Sequence, residues 1–189
     1  MTGVLFRVEG LAGKQLQLAL ELIPDIVKVG LLVNVATETT IDRQEAETAS
    51  QRLGIDLIPA EVRVPDDLDN AFKTLAKDNV QALIVLVDGM FFSERQRIAE
   101  LASATRLPTI YPFRDHVDAG GLISYGVNLA ECFHRAAGYV VKILNGANAG
   151  DLPVEFPTKL ELIINNKAAK ALGLTIPPSV LVRADEVIE

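Results

Sequence analysis

Four strand-length runs rich in aliphatic residues, at 27–33, 55–62, 80–87 and 108–111, recur along the chain with a helix-like segment in each gap. A strand exposed on one face alternates apolar with polar residues, whereas a strand covered on both faces reads as a nearly continuous apolar run. These runs largely lack the alternation. The pattern specifies an α/β fold, a parallel sheet with helices on both faces.

The intervening segments carry start and stop signals. Leu11, Gln15, Leu18, Leu22 and Ile23 fall near helical spacing, and Pro24 with Asp25 closes the run. Residues 41–53 are charged and Ala-rich, with Gly54 placed for a left-handed stop. Asp66 or Asp67 is positioned to cap a helix that runs to Lys77 with Leu68, Phe72, Leu75 and Ala76 inward. Ser93 and Gln96 fit a capping box that opens a helix to about Arg106. After Gly120 and Gly121 the rhythm changes: a short run at 122–125 precedes a long helix from about Asn128 to Leu144, with Gly146 as its stop. The two prolines of DLPVEFPT suit a crossing segment better than a sheet interior. A run at 160–164, a short helix ending at Gly173, and TIPPSVLVRADEVIE complete the chain.

Composition narrows the function. Hydrophobic residues make up 49% of the 189 and charged residues 23%, which suits one compact body with an appendage. The formal charge of -7 repels polyanions, so nucleic acid is not an expected partner. ALIVLV at 82–87 is too short to cross a bilayer, and the opening MTGVLFRVEG lacks the pattern of an export signal. Cys132 is the single cysteine, which excludes an intramolecular disulfide and a four-cysteine metal site. Cys132 and His134 stand two apart on a helix and point to different faces, so they form no dyad. His116 and His134, far apart, make no metal centre. Without a phosphate loop, HExxH motif or nucleophile elbow, the expectation is no catalytic residue, no metal and no cofactor.

Ligands of open parallel sheets bind outside the carboxyl ends of the strands. Those ends fall at 34–40, 63–67, 88–92 and 111–114. Five of the chain's seven Phe and three Tyr, namely Phe91, Phe92, Tyr111, Phe113 and Tyr125, lie in or beside two of these loops. A small-molecule site needs aromatics at loop mouths.

The stretches QALIVLVDGMFFSERQRIAELA, LPTIYPFRDHVDAGGLISYGVNLAECFHRAAGYVVKIL and DLPVEFPTKLELIINNKAAKALGLTIPPSVLVRADEVIE resemble the later part of ABC transporter substrate-binding proteins of the tryptophan/tyrosine-type family. The resemblance covers nearly the whole chain. It implies a type I periplasmic-binding-protein-like fold with two Rossmann-like lobes, an exported location, a small organic solute such as an amino acid as ligand, and an ABC transporter permease as partner. The sequence departs from that pattern before MTGV, where the family has an export signal and most of a first lobe; a chain complete as written is expected in the cytoplasm. Residues 1–120 then correspond to the second lobe, 121–150 to a return segment and long helix of the first, and 151–189 to a tail crossing back. With a first lobe absent, the helix at 128–144 and residues 1–8 are expected to leave an apolar patch and a homo-oligomer.

Carried over by resemblance, the ligand site comprises Asn34, Asp88, the loop Tyr111 to Arg114, and Ser124 with Tyr125, beside Phe91 and Phe92 from the aromatic count. Asp88 would meet a ligand ammonium and the aromatics its apolar part. Structural readings stand beside these: Asp88 satisfying the turn that follows it, one of Phe91 and Phe92 packing inward, Arg114 forming a surface pair with Asp115. A cytoplasmic ligand sensor of the same fold and a small α/β enzyme are the alternative functions.

Overall fold

The computed structural model describes residues 2–37, 40–157 and 159–189, with the side chains of 40 and 41 left aside. In chain order the elements are β1 (Gly3–Val4), α1 (Leu11–Leu22), β2 (Lys28–Asn34), α2 (Thr40–Leu53), β3 (Asp56–Val62), α3 (Leu68–Lys77), β4 (Ala82–Val85), α4 (Gly89–Ser93), α5 (Arg95–Ala104), β5 (Thr109–Tyr111), α6 (Arg114–Asp118), β6 (Ile123–Val127), α7 (Leu129–Leu144), β7 (Val154–Glu155), β8 (Leu160–Asn165), α8 (Asn166–Leu172), α9 (Pro178–Leu181) and β9 (Glu186–Ile188). The large sheet runs β3-β2-β4-β5-β6-β8-β9, and β1 pairs with β7 in a separate two-stranded sheet.

The period of two sorts the strand residues into two cores. Val29, Leu31, Val33, Ala82, Ile84, Ile110 and Ile123 face one side, where Leu16 and Ala19 of α1 and Ala46 of α2 cover them. Leu32, Leu83, Val85 and Tyr111 face the other, under Phe72 and Leu75 of α3 and Ile98 of α5. Both faces are covered, as the uninterrupted apolar runs require. Pro59 sits on β3, an outer strand, where its missing N–H costs no ladder bond.

All pairs of the large sheet are parallel except β6 with β8. The exception follows from the path. The chain leaves the sheet at Val127, builds α7 and β7 beyond the carboxyl ends of the strands, and returns through Leu160, which pairs with Val127 itself. A strand entering from that end must run backwards. β6 lies inside the large sheet, so the path departs after Val127 and not after 120, and β1 joins β7 outside it.

Most element limits fall within a few residues of expectation, and Gly54, Gly146 and Gly173 close their helices at positive φ. Two caps differ. Asp67 turns its carboxylate back to accept from the N–H groups of Arg63 and Val64 at 2.9 and 3.2 Å, rather than capping forward into α3. Ser93 opens no capping box: its hydroxyl donates to the Gly89 carbonyl inside α4, a helix that begins earlier and is capped by Asp88.

The α7 helix carries the expected apolar stripe, yet only Cys132 and Tyr139 on it are buried. Phe133, Val140, Val141 and Leu144 stay open, the last at 79% exposure. Phe6 leans on Phe133 with ring centroids 5.6 Å apart, and Phe156 near β7 is exposed too. This is a coherent apolar face on the small unit made of β1, α7 and β7.

Candidate ligand site

The carboxyl ends of the parallel strands meet the small unit, and two adjoining depressions lie at that end. The first is a notch of about 70 Å³ lined by Asn34, Thr37, Asp42, Val87 and Asp88 among others. Because β2 and β4 are neighbours, the residues leaving them meet. Asn34 Nδ2 donates to Asp88 Oδ1 at 3.1 Å, and the Thr37 hydroxyl donates to Oδ2 at 2.5 Å. Asp88 also caps α4, its Oδ1 accepting from the N–H groups of Met90 at 2.8 Å and Phe91 at 3.3 Å. Four donors converge on one carboxylate and fix its position. The Thr37 hydroxyl spends its proton there and keeps its lone pairs for a further donor.

The second depression, about 280 Å³, shares Asp42, Leu86 and Val87 with the notch. Its walls are largely apolar: Leu5, Phe6 and Val8 from the segment entering α1, Leu11 and Ala12 on α1, and Val85 at the end of β4. Arg7 stands among them with Nε 3.1 Å from Asp42 Oδ1 and Nη2 3.3 Å from Glu45 Oε1. A polar notch with a fixed anion thus opens beside an apolar hollow with a guanidinium in its lining.

Of the nine residues named from sequence, Asn34 and Asp88 meet here and bond each other. Phe92 and Phe113 form a neighbouring cluster, centroids 6.0 Å apart and edge-on, around His116. Tyr111 lies on the buried side of that cluster and the other four are placed elsewhere, which departs from the expected grouping. Phe91 is wholly buried against α3 and α5, because α4 turns consecutive residues to different sides. Tyr111 is wholly buried too, stacked on His116 at 5.1 Å. Ser124 and Tyr125, adjacent on β6, necessarily face opposite sides of the sheet. Ser124 is buried with Oγ unpartnered among the described residues, while Tyr125 lines a cleft with Lys14, Leu18 and Arg183 and its carbonyl accepts from Gln15 Nε2 at 2.9 Å.

Arg114 does not pair with Asp115. It binds both oxygens of Glu186 on β9 and reaches Asp118 at 3.3 Å. The hydrogen-bonded Glu186 carboxylate raises the guanidinium pKa, and the Glu186 pKa falls in return. The Arg114 charge is spent on tying the tail to α6.

Sequence reasoning left out Thr37, Arg7 and the apolar wall at Leu5, Phe6 and Val8. A signal was present for two of them: Thr37 stands three residues past a strand end, and Leu5 with Phe6 is an apolar pair that no predicted element absorbed.

A doubly covered α/β sheet whose carboxyl edge faces a second unit, the chain crossing between them three times, defines a type I periplasmic-binding-protein-like fold. The chain belongs to the family described as ABC transporter substrate binding protein, whose model matches residues 1–188. It is similar to a tyrosine-binding protein of Clostridioides difficile (strain R20291), 22% identical over 162 residues that make up 85% of this chain and 47% of that one. Among solved structures it superposes on a conserved domain protein from Vibrio cholerae O1 biovar El Tor strain N16961 with a TM-score of 0.88 at 25% identity, covering 98% of this chain and 62% of that one. An ABC domain from Streptococcus pneumonia in complex with L-Trp gives 0.85 at 23% identity, covering 99% of this chain and 64% of that one. The chain therefore spans about half the length of its curated relative. No helix among the described residues is long and apolar enough to cross a membrane.

Proposed function

We propose that the chain is the ligand-binding portion of a solute-binding component of an ABC import system, and that its ligand is a small amino acid with an apolar side chain. The observation carrying this reading is the adjacency of the two depressions. In it the ligand ammonium lies at the notch against Asp88 Oδ2 and the oxygen of Thr37, and the side chain fills the hollow walled by Leu5, Phe6 and Val8. The carboxylate meets Arg7, exchanged from Asp42 or Glu45. Charge-assisted bonds at both ends of a zwitterion with an apolar body between them supply orientation and affinity together. The names of the relatives, one tyrosine-binding and one solved with L-Trp, support an aromatic amino acid. Delivery to a membrane permease outside the cytoplasm accompanies this reading, and no residue is assigned to catalysis.

In the same reading, residues 11–127 with 160–189 form the second lobe of a two-lobed binder. The unit of β1, α7 and β7 is the part of the first lobe that this chain carries, and closure of lobe on lobe buries the ligand.

The test is amide NMR on the full chain titrated with L-tyrosine, L-tryptophan and L-leucine, with 3-phenylpropionate as a control lacking the ammonium. Asp88→Asn keeps an acceptor for the α4 cap while removing the charge. It should weaken amino-acid binding about tenfold or more and leave the control unchanged, tenfold being about 1.4 kcal/mol. Saturable binding that Asp88→Asn leaves intact overturns the site; no perturbation at 34–37, 85–88 and 5–8 by any of the three overturns the ligand class.

A further inference from the structure

Gln15 stands on α1 one turn beyond Leu11, on the same face as Leu11 and Ala12, and lines the apolar hollow with them. Exposure falls from 8% at Leu11 to 2% at Gln15, which puts Gln15 at the inner end of that wall. Its Nε2 donates to the Tyr125 carbonyl at 2.9 Å. A carbonyl oxygen only accepts, so the amide is held with its NH2 group on Tyr125 and its oxygen turned away. A flipped amide would set oxygen against oxygen. Oε1 makes no hydrogen bond among the described residues. The atoms there that are both unpartnered and sealed are the Tyr111 hydroxyl, His116 Nε2 and Ser124 Oγ, and Oε1 is not one of them. The acceptor therefore opens on the hollow that Gln15 lines.

The other polar side chains of the lining, Arg7, Asp42 and Glu45, are charged and engage one another, and Glu45 also accepts from the Gly10 N–H at 3.0 Å. Gln15 thus supplies a neutral acceptor with no partner, fixed in direction, among apolar walls. A ligand side chain that fills the hollow displaces water from this oxygen. An apolar tip returns nothing for the lost hydrogen bond, whereas a tip that carries an O–H or N–H replaces it, and this asymmetry makes the oxygen a selector. We infer that Gln15 sets the side-chain specificity of the amino-acid site, accepting a hydrogen bond from a donor at the far end of an aromatic ring. The ligand class is then an aromatic amino acid whose ring ends in an O–H or N–H, an inference that rests on reading the notch and hollow as that site.

Amide NMR titrations of the full chain compare L-tyrosine and 4-amino-L-phenylalanine, which carry a distal donor, with L-phenylalanine, which has the ring alone. The donor-bearing pair should bind about tenfold tighter. Their binding should also move the side-chain NH2 signals of Gln15, which belong to the same amide as the accepting oxygen. Gln15→Met keeps the length of the side chain and removes the acceptor, and should bring the three affinities together. A loss of folding stability lowers all three alike, so the ratio is the readout, and the comparison on the unmodified chain decides the matter if the variant does not fold. Equal affinities for L-tyrosine and L-phenylalanine on the unmodified chain, with Asp88→Asn still weakening both, overturn the role of Gln15 and leave the amino-acid site standing. An advantage of L-tyrosine that Gln15→Met leaves intact overturns it as well. If none of the three perturbs 34–37, 85–88 and 5–8, the site itself is refuted and this inference with it.

Discussion

His116 gives the chain an acid-sensitive stability that one substitution should remove. The imidazole is fully buried, stacked between Tyr111 at 5.1 Å and Phe113 at 6.1 Å with Phe92 edge-on at 6.2 Å. Nδ1 lies 3.3 Å from the Phe113 carbonyl, and Nε2 makes no hydrogen bond within 3.5 Å among the described residues. Burial, aided weakly by Arg95 and opposed by the Phe113 carbonyl, Asp115 and the Phe91 backbone, pushes its pKa from 6.5 down to about 4. The folded state thus holds the ring neutral. Above about pH 6.5 the ring is neutral in both states and full stability is present. As pH falls, the unfolded chain takes the proton first, and stability drains away until about pH 4, where both states are protonated. At about 1.4 kcal/mol per pH unit across that gap, the loss is about 3 kcal/mol, or about 6–12 °C in Tm for a chain of this size. Urea unfolding followed by far-UV circular dichroism at pH values from 7.5 to 4 measures it. His116→Phe preserves the aromatic stack and cannot titrate, so subtracting its curve removes the carboxylate contributions common to both. The difference between wild type and variant should shrink or invert by about 3 kcal/mol towards pH 4. Parallel curves would refute the reasoning.

Two further outcomes follow from packing. Gly126→Ala should destabilise by about 3 kcal/mol or more, read from the urea midpoint, because its Cβ would fall 1.9 Å from the Pro112 carbonyl oxygen and backbone must move to admit it. The 189-residue chain by itself should associate into dimers or larger at micromolar concentration through the open stripe of α7, and Val140→Glu with Leu144→Glu should return it to a monomer; light scattering that finds the unmodified chain monomeric refutes this.

The large sheet was legible because its evidence is local: apolar runs, helical spacing and terminal glycines each report on their own few residues. β8 running against β6 was hidden, since a strand's direction depends on where the chain has just been, and that is set by α7 and β7 thirty residues away. The site was legible only where it rests on strand ends. Asn34 and Asp88 emerge there because strand order brings β2 beside β4. The aromatics misled for a reason of geometry: the count of rings near a loop mouth is blind to direction, and Phe91, Tyr111 and Tyr125 point into a core, towards the sheet's other end, or to its other face. The wall at Leu5, Phe6 and Val8 comes from the chain's beginning and reaches the site only through β1 pairing with β7.

The pairing of Val127 with Leu160 has a mechanical meaning. Two of the three chain passages between the large sheet and the small unit leave side by side from an antiparallel pair held in register over five residue pairs. Such a ladder resists sliding, because a shift along the strands breaks all of its bonds at once, but it bends at its free end at little cost. Motion of the small unit relative to the sheet should therefore pivot at Val127 and Leu160, within the slack that the third passage from β1 to α1 allows. Gly126, lying backbone against backbone on Pro112, anchors that pivot one residue inside the sheet.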